Sequence, residues 1–218
     1  MVYIIDLLTD VQSKHVKDFY QFSTFGDGKD SGASDRSFKY NEYLNDESHY
    51  PTLFEYLGRV VTDHYLFNLC FVPKKFTKPQ FLKYSETMHY DYHLDLFYMQ
   101  EVKTDWSVTC FLSDPEEYEG GELVLKVTQD NEISYKLPAG KAVIYPSGTL
   151  HKVNPVTSGT RKVIVFWFES LLKTSFGRKI VADYSMALYN LNDKMDSWSK
   201  DNVHEMENIR HQLIREYA

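Results

Sequence analysis

The chain is short of cysteine, short of basic charge and without a long apolar run. Its 218 residues include two cysteines, Cys70 and Cys110. That is too few for a disulfide framework or a zinc ribbon. One disulfide is compatible with the sequence, but two reduced, buried thiols are expected of a cytoplasmic protein. Lys and Arg total 24 against 31 Asp and Glu, for a formal net charge of −7. A protein that wraps a nucleic-acid backbone needs the opposite balance, because Lys and Arg neutralise the phosphates. No apolar stretch reaches the ~20 residues of a membrane span. The N-terminal MVYIIDLLTD is apolar, yet Asp6 and Asp10 interrupt it and no basic segment precedes it. It therefore does not read as a signal peptide.

What is present is a dense aromatic content, 16% of the chain, beside 25% charged residues. Disordered chains lack that apolar material, and the length suits one well-cored domain. Val2 to Leu8 reads as a short strand. Thr9 and Gln12 have capping-box spacing, followed by Val11, Val16, Phe19 and Tyr20 near one helical face. Gly26 to Ser37 is a loop rich in Gly, Ser and Asp, and a candidate lid. A helix is expected from Pro51, with Leu53, Phe54, Leu57, Val60 and Val61 on its apolar side.

From Leu66 the texture becomes short runs rich in Val, Ile, Phe, Tyr and Thr. Strands are expected at Leu66–Val72, Gln80–Tyr84, Tyr90–Tyr98, Ser107–Leu112, Glu122–Val127, Ile133–Lys136, Ala142–Tyr145, Thr149–Val153 and Arg161–Phe168. Gly120-Gly121 reads as a hairpin turn. Helical spacing returns in Val181, Tyr184, Ser185, Leu188 and again in Val203, Met206, Ile209, Leu213, Tyr217. The fold class is mainly β with flanking helices, a sandwich or barrel rather than βαβ units. One domain over residues 1–218 is expected, with a β core at about 66–172 and helical additions at 1–65 and 173–218.

Chemistry concentrates in YDYHLDLFY, Tyr90 to Tyr98. On a strand, side chains alternate, so His93 and Asp95 share a face. A carboxylate among apolar residues needs a partner or a metal. An H-x-D triplet alone is a weak signal. His151, after the turn cluster YPSGTL, completes a 2-His-1-carboxylate set, the donor type that leaves open positions on non-haem Fe(II). The other histidines, His15, His49, His64, His89, His204 and His211, have no such partners in pattern. Arg161 follows His151 by ten residues and shares a strand face with Val163, Val165 and Trp167. A guanidinium there pairs with a carboxylate of the protein at the sheet edge, or forks onto one of a small molecule.

The order H-x-D, His, Arg resembles the Fe(II)/2-oxoglutarate-dependent dioxygenases, and specifically the PKHD-type (prolyl/lysyl hydroxylase-domain) hydroxylases of bacteria and phages. FLKYSETMHYDYHLD, KTDWSVTCFLSDPEEYEGGELVL and LPAGKAVIYPSGTLHKVNPVTSGTRKVIVFW are similar to that family's central blocks. GDGKDSGASDRSFKYN and the terminal IRHQLIREYA resemble its ends more loosely. The resemblance implies a double-stranded β-helix (jelly-roll) core packed by N-terminal helices and followed by C-terminal helices. It implies Fe(II) on His93, Asp95 and His151, 2-oxoglutarate as co-substrate on Arg161 and Tyr84, O2 as second co-substrate, and ascorbate as an optional reductant. Asp95 argues against the halogenating relatives, which lack the carboxylate. Two positions depart from the family: Thr87 stands where Gly is usual, and Phe111 stands near a second co-substrate tyrosine of the more distant prolyl hydroxylases. Thr109, on the face of Ser107 and Phe111, is a replacement hydroxyl. Tyr90, Tyr92 and Trp167 are substrate-channel candidates, with packing as the competing reading.

The implied activity is hydroxylation, foremost of a prolyl residue in a peptide or protein. The acidic loop DPEEYEGGE is open to a basic substrate, though a solvated loop is the default. A free amino acid or small metabolite is the alternative substrate. A non-catalytic β-helix module that binds metal or 2-oxoglutarate is the alternative class. The expected location is cytoplasmic, or the host cytoplasm for a phage-encoded chain, without membrane or nucleic-acid partners. The stripe from Val203 to Tyr217 allows either packing on its own sheet or pairing into a homodimer.

Overall fold

The structure is a computed structural model and describes residues 1–31, 38–45, 50–192 and 200–218. His49 and half of the candidate lid, residues 32–37, lie outside these. The chain opens on the strand Tyr3–Asp6, whose residues alternate buried and exposed. Thr9 then caps the helix Asp10–Phe22 with both halves of a capping box, its side chain accepting from Gln12 N and its own N–H bonding Gln12 Oε1. Such a cap stabilises a helix by about 1 kcal/mol. Val16 and Tyr20 are buried, but Val11 is 79% exposed. Five residues turn a helix by about 500°, which leaves Val11 about 140° round from Val16. The helix Tyr50–Asp63 buries Leu53, Leu57 and Val61 as the spacing requires.

The strand expected at Leu66–Val72 is a helix, Tyr65–Phe71. A short run with Asn68 as its one polar residue carries no period that separates the two states. Its ends decide: His64 caps it by accepting from Phe67 N, and Val72 leaves it at φ 44°, before Pro73. Phe67, Leu69, Cys70 and Phe71 are all buried in it.

All strand pairing given by register is antiparallel, in two larger sheets and two two-stranded pairs, Tyr118–Gly120 with Val156–Gly159 and Tyr98–Met99 with Val102–Lys103. The larger runs Tyr3–Asp6, Lys141–Pro146, Trp106–Phe111, Arg161–Ser170, Gln80–Tyr84, Glu42–Leu44, Phe25–Asp27, with Pro73–Phe76 also on Arg161–Ser170. The smaller runs Glu132–Tyr135, Leu123–Lys126, His151–Val153, His89–His93, Lys39–Tyr40. The first 65 residues are therefore not only helical, since they supply strands to both sheets. Between the sheets lies an inner core that includes Leu82, Phe111, Leu123, Val143 and Val163. The outer face of the larger sheet buries Trp106, Cys110, Ile164 and Phe168 against the helices. Strand alternation thus gives each central strand one side for the outer core and one for the interior. Cys70 and Cys110 are free and buried.

Gly120-Gly121 does not turn a hairpin. Tyr118–Gly120 pairs with Val156–Gly159, whereas Leu123–Lys126 pairs with Glu132–Tyr135 and His151–Val153. Gly120 has φ 68°, and a Cβ on it would lie 2.1 Å from Pro155 O, so a close backbone approach requires glycine there. The C-terminal helices are Ser175–Asn192 and Lys200–Tyr217. The first buries Val181, Ser185 and Leu188, while the stripe of the second is only partly covered, Ile209 being 39% exposed. Among the described residues no helix is long and apolar enough to cross a membrane.

Candidate metal centre

His93 ends its strand, and His151 opens the neighbouring one directly opposite it in the register. Their ring centroids are 4.1 Å apart. The strand expected to continue to Tyr98 stops at His93. Asp95 reaches the site from the loop beyond it, not from a strand face. The apolar surroundings expected of that loop are absent: Leu94 is 58%, Leu96 46% and Phe97 84% exposed. Asp95 itself turns inward, its side chain 9% exposed, with Oδ2 3.8 Å from His151 Nε2. One donor atom each from His93, Asp95 and His151 lies within 4.8 Å of the other two.

Both histidines are oriented in the same way. His93 Nδ1 lies 2.8 Å from Asp91 O, and His151 Nδ1 lies 2.9 Å from Thr149 O. A carbonyl only accepts, so each Nδ1 carries a proton, and in the neutral ring Nε2 is the nitrogen left with a lone pair. Burial, and then the nearby His151, push the His93 pKa down to about 4. The imidazole is therefore neutral at physiological pH, the form a metal binds. Two imidazole nitrogens and a carboxylate suit a borderline divalent ion such as Fe(II).

The cavity beside this cluster has a volume of about 370 Å³. Arg161 lines it, 1% exposed. Its Nε and Nη1 have no hydrogen-bond partner among the described residues. Unpaired buried guanidinium N–H groups are costly, and a bound carboxylate would satisfy them. Of the two sequence readings of Arg161, the carboxylate of a small molecule fits better. Tyr84 stands opposite it, 4.9 Å from guanidinium carbon to ring centroid. Burial raises the Tyr84 pKa, which keeps its hydroxyl neutral and able to donate. Thr109 and Trp167 also line the cavity, as their strand faces required.

The two flanking tyrosines part company. A bulge opposite the segment His151–Val153 brings Tyr90 onto the same side as His93, where the rings stack at 3.5 Å between centroids and 13° between planes. Tyr90 lines the cavity while bracing a histidine. Tyr92 is no channel residue: it faces outward, its hydroxyl on Glu132 and its ring between Lys126 and Lys152. Among the remaining described histidines, none joins the cluster. His15 packs on Phe19 and Tyr56, and His64 is a helix cap.

Four residues of this region escaped the sequence reading as site residues. Tyr145 lines the cavity, its ring 5.2 Å from that of His151. Lys39 lines it while 4% exposed, its ammonium 5.4 Å from the Tyr90 ring centroid. Ser107 and Ser147 lie behind Asp95. Only Ser107 carried a signal, sharing the strand face of Thr109.

A family model described as the 2OG-Fe(II) oxygenase superfamily matches residues 79–169. A PKHD-type hydroxylase of Pseudoalteromonas atlantica is 35% identical over 226 residues, 99% of this chain and 97% of its own. Another, of Bordetella pertussis, is 30% identical over 100% of this chain and 99% of its own. Among solved structures, a Pseudomonas putida prolyl-4-hydroxylase superposes with TM-score 0.51 at 16% identity, over 78% of this chain and 92% of that one. A Trichoplax adhaerens prolyl hydroxylase, solved with a hypoxia inducible factor peptide fragment, gives TM-score 0.53 at 17% identity, over 77% and 82%. These structural likenesses establish the double-stranded β-helix fold.

Proposed function

The chain belongs to the PKHD-type hydroxylases of the 2OG-Fe(II) oxygenase superfamily, and on that premise we propose that it hydroxylates a prolyl residue in a peptide or protein. In this reading residues 1–218 act as one catalytic domain. His93 Nε2, one Asp95 oxygen and His151 Nε2 hold Fe(II). Arg161 forks onto the distal carboxylate of 2-oxoglutarate, with Tyr84 and Thr109 as hydroxyl donors along the co-substrate. When bound, the iron supplies oxygen activation, coupling oxidation of 2-oxoglutarate to succinate and carbon dioxide with insertion of one oxygen into a C–H bond.

The protein's own contribution is placement. Asp91 O and Thr149 O fix both ring orientations. Tyr90 holds the His93 ring by stacking. Phe111, 5.5 Å from the guanidinium carbon, and Tyr84 enclose Arg161 so that water does not compete for its N–H groups. The single observation that carries the reading is the buried Arg161 guanidinium, two of whose nitrogens lack a hydrogen-bond partner among the described residues, in the same cavity as the three convergent donors. The prolyl substrate is supported by the family's type and by the prolyl hydroxylases among its structural neighbours.

One observation favours a small acidic metabolite instead: the second buried cation, Lys39, at the same cavity. The deciding experiment incubates the protein with Fe(II), 2-oxoglutarate and either peptide libraries or metabolite pools. Mass spectrometry then reads a gain of one oxygen alongside succinate. Oxygen gain on proline-containing peptides supports the proposal. Gain only on free acids selects the second reading, and no 2-oxoglutarate turnover with any substrate would remove both. Parallel assays with and without ascorbate decide whether a reductant sustains turnover.

A further inference from the structure

We propose that Ser107, backed by Ser147, is a positioning residue that fixes the Asp95 carboxylate so that a single oxygen is presented to the metal. This rests on the reading of His93, Asp95 and His151 as the metal set. Ser107 Oγ lies 2.6 Å from Asp95 Oδ2 and 2.9 Å from Ser147 Oγ. Ser107 is 2% and Ser147 3% exposed.

The protons can be counted. A ligating carboxylate is ionised and only accepts, so Ser107 spends its one O–H on Asp95. The Ser107–Ser147 contact then requires Ser147 to be the donor. The result is a directed chain, Ser147 to Ser107 to Asp95, ending in a short charge-assisted hydrogen bond.

Asp95 needs such a hold because its loop gives it little packing. Its neighbours Leu94, Leu96 and Phe97 are exposed. Backbone anchors exist, with Thr104 N bonding Phe97 O at 3.1 Å and the Thr104 hydroxyl bonding Leu96 O. Those anchors do not set the torsion of the carboxylate. The Ser107 bond takes one lone pair of Oδ2, the oxygen that faces His151 Nε2 at 3.8 Å. The other lone pair is left for the ion, and rotation to a two-oxygen grip breaks the bond.

Ser147 adds a second connection. It lies in the turn that leads to His151, where Thr149 N bonds Pro146 O at 2.9 Å. The hydroxyl chain therefore ties the carboxylate ligand to the segment that delivers a histidine ligand. Loss of either hydroxyl should loosen the metal set without removing any ligand.

The test titrates the full chain with Co(II), which needs no oxygen chemistry, by calorimetry and by its visible d–d spectrum. Ser107→Ala is expected to weaken Co(II) binding by about 10–100-fold and to alter the spectrum. Ser107→Thr, which keeps the hydroxyl, should restore both, and Ser147→Ala should give a smaller loss with the spectrum shifted the same way. A merely structural role would lower the unfolding temperature but leave the spectrum of folded protein unchanged. Wild-type affinity and spectrum in folded Ser107→Ala would overturn the proposal while leaving the metal site standing. Should Ser107→Ala fail to fold, Ser147→Ala decides by the same two readouts. If the wild-type protein takes up no Co(II), the metal reading itself fails, and this proposal with it.

Discussion

Arg161 and Tyr84 stand directly opposite each other on neighbouring antiparallel strands, the guanidinium carbon 4.9 Å from the phenol ring centroid. The ring supports the cation from one side and leaves its N–H fork to the cavity. Replacing the fork by a point charge should therefore damage co-substrate binding even though charge is kept. Arg161→Lys is expected to raise the KM for 2-oxoglutarate about tenfold or more, with a smaller effect on kcat at saturation. Succinate formation against 2-oxoglutarate concentration measures it. An unchanged KM would remove Arg161 from the co-substrate site.

The metal set makes a harsher prediction. Chelation of the purified protein should abolish succinate formation, and added Fe(II) should restore it. His93→Ala or Asp95→Ala should lower turnover by about a hundredfold or more, since losing a ligand exceeds the 10–100-fold cost of disturbing its supports. Uncoupled 2-oxoglutarate decay reads this without a known substrate. If either variant turned over as fast as wild type, the metal would sit elsewhere.

The sequence displayed the donors but not the geometry that joins them. H-x-D was legible because two-residue spacing keeps side chains close, yet Asp95 arrives from a loop after the strand ends at His93. The pairing of His151 with His93 depends on strand register, which local pattern does not encode. The same is true of Ser107 and Ser147, brought to 2.9 Å by sheet pairing across forty residues of chain. Tyr90 and Tyr92 looked equivalent, and only a bulge separates their roles. Strands of the larger sheet such as Gln80–Tyr84 were readable from aromatic and apolar residues between turn signals. LFNLCF failed because so short a segment with a single polar residue has no readable period, and its caps rather than its interior chose the helix.

Thr87 gives a prediction about stability. It adopts φ 71° in a turn closed by Met88 N to Ser85 O at 3.0 Å. A β-branched residue pays about 1–2 kcal/mol in that region, partly offset by the about 0.5–1 kcal/mol entropy that glycine loses on folding. Thr87→Gly should stabilise the protein by about 1 kcal/mol, a rise of about 2–4 °C in Tm. Thr87 is exposed and its backbone N–H already bonds Val156 O, so no packing is lost. A lower Tm for the glycine variant would show that the turn is not strained by threonine.

The two thiols predict a chemical silence. Burial pushes the Cys70 pKa up to about 12, partly countered by Arg210, and burial raises that of Cys110 well above the ordinary range. Only the thiolate attacks, so at pH 8 about one Cys70 in ten thousand is reactive. Native protein should leave both thiols unmodified by a chromogenic disulfide reagent over minutes, and both should react once denaturant is added. Position adds a second consequence for Cys110. Its strand alternates, so Thr109 faces the cavity while Cys110 faces the outer core, fully buried. Succinate formation should therefore survive prolonged treatment with iodoacetamide at pH 8. Rapid native labelling of either thiol would contradict its burial. Loss of activity in step with Cys110 labelling would mean that the outer core opens and that the strand carrying Ser107 and Thr109 moves with it.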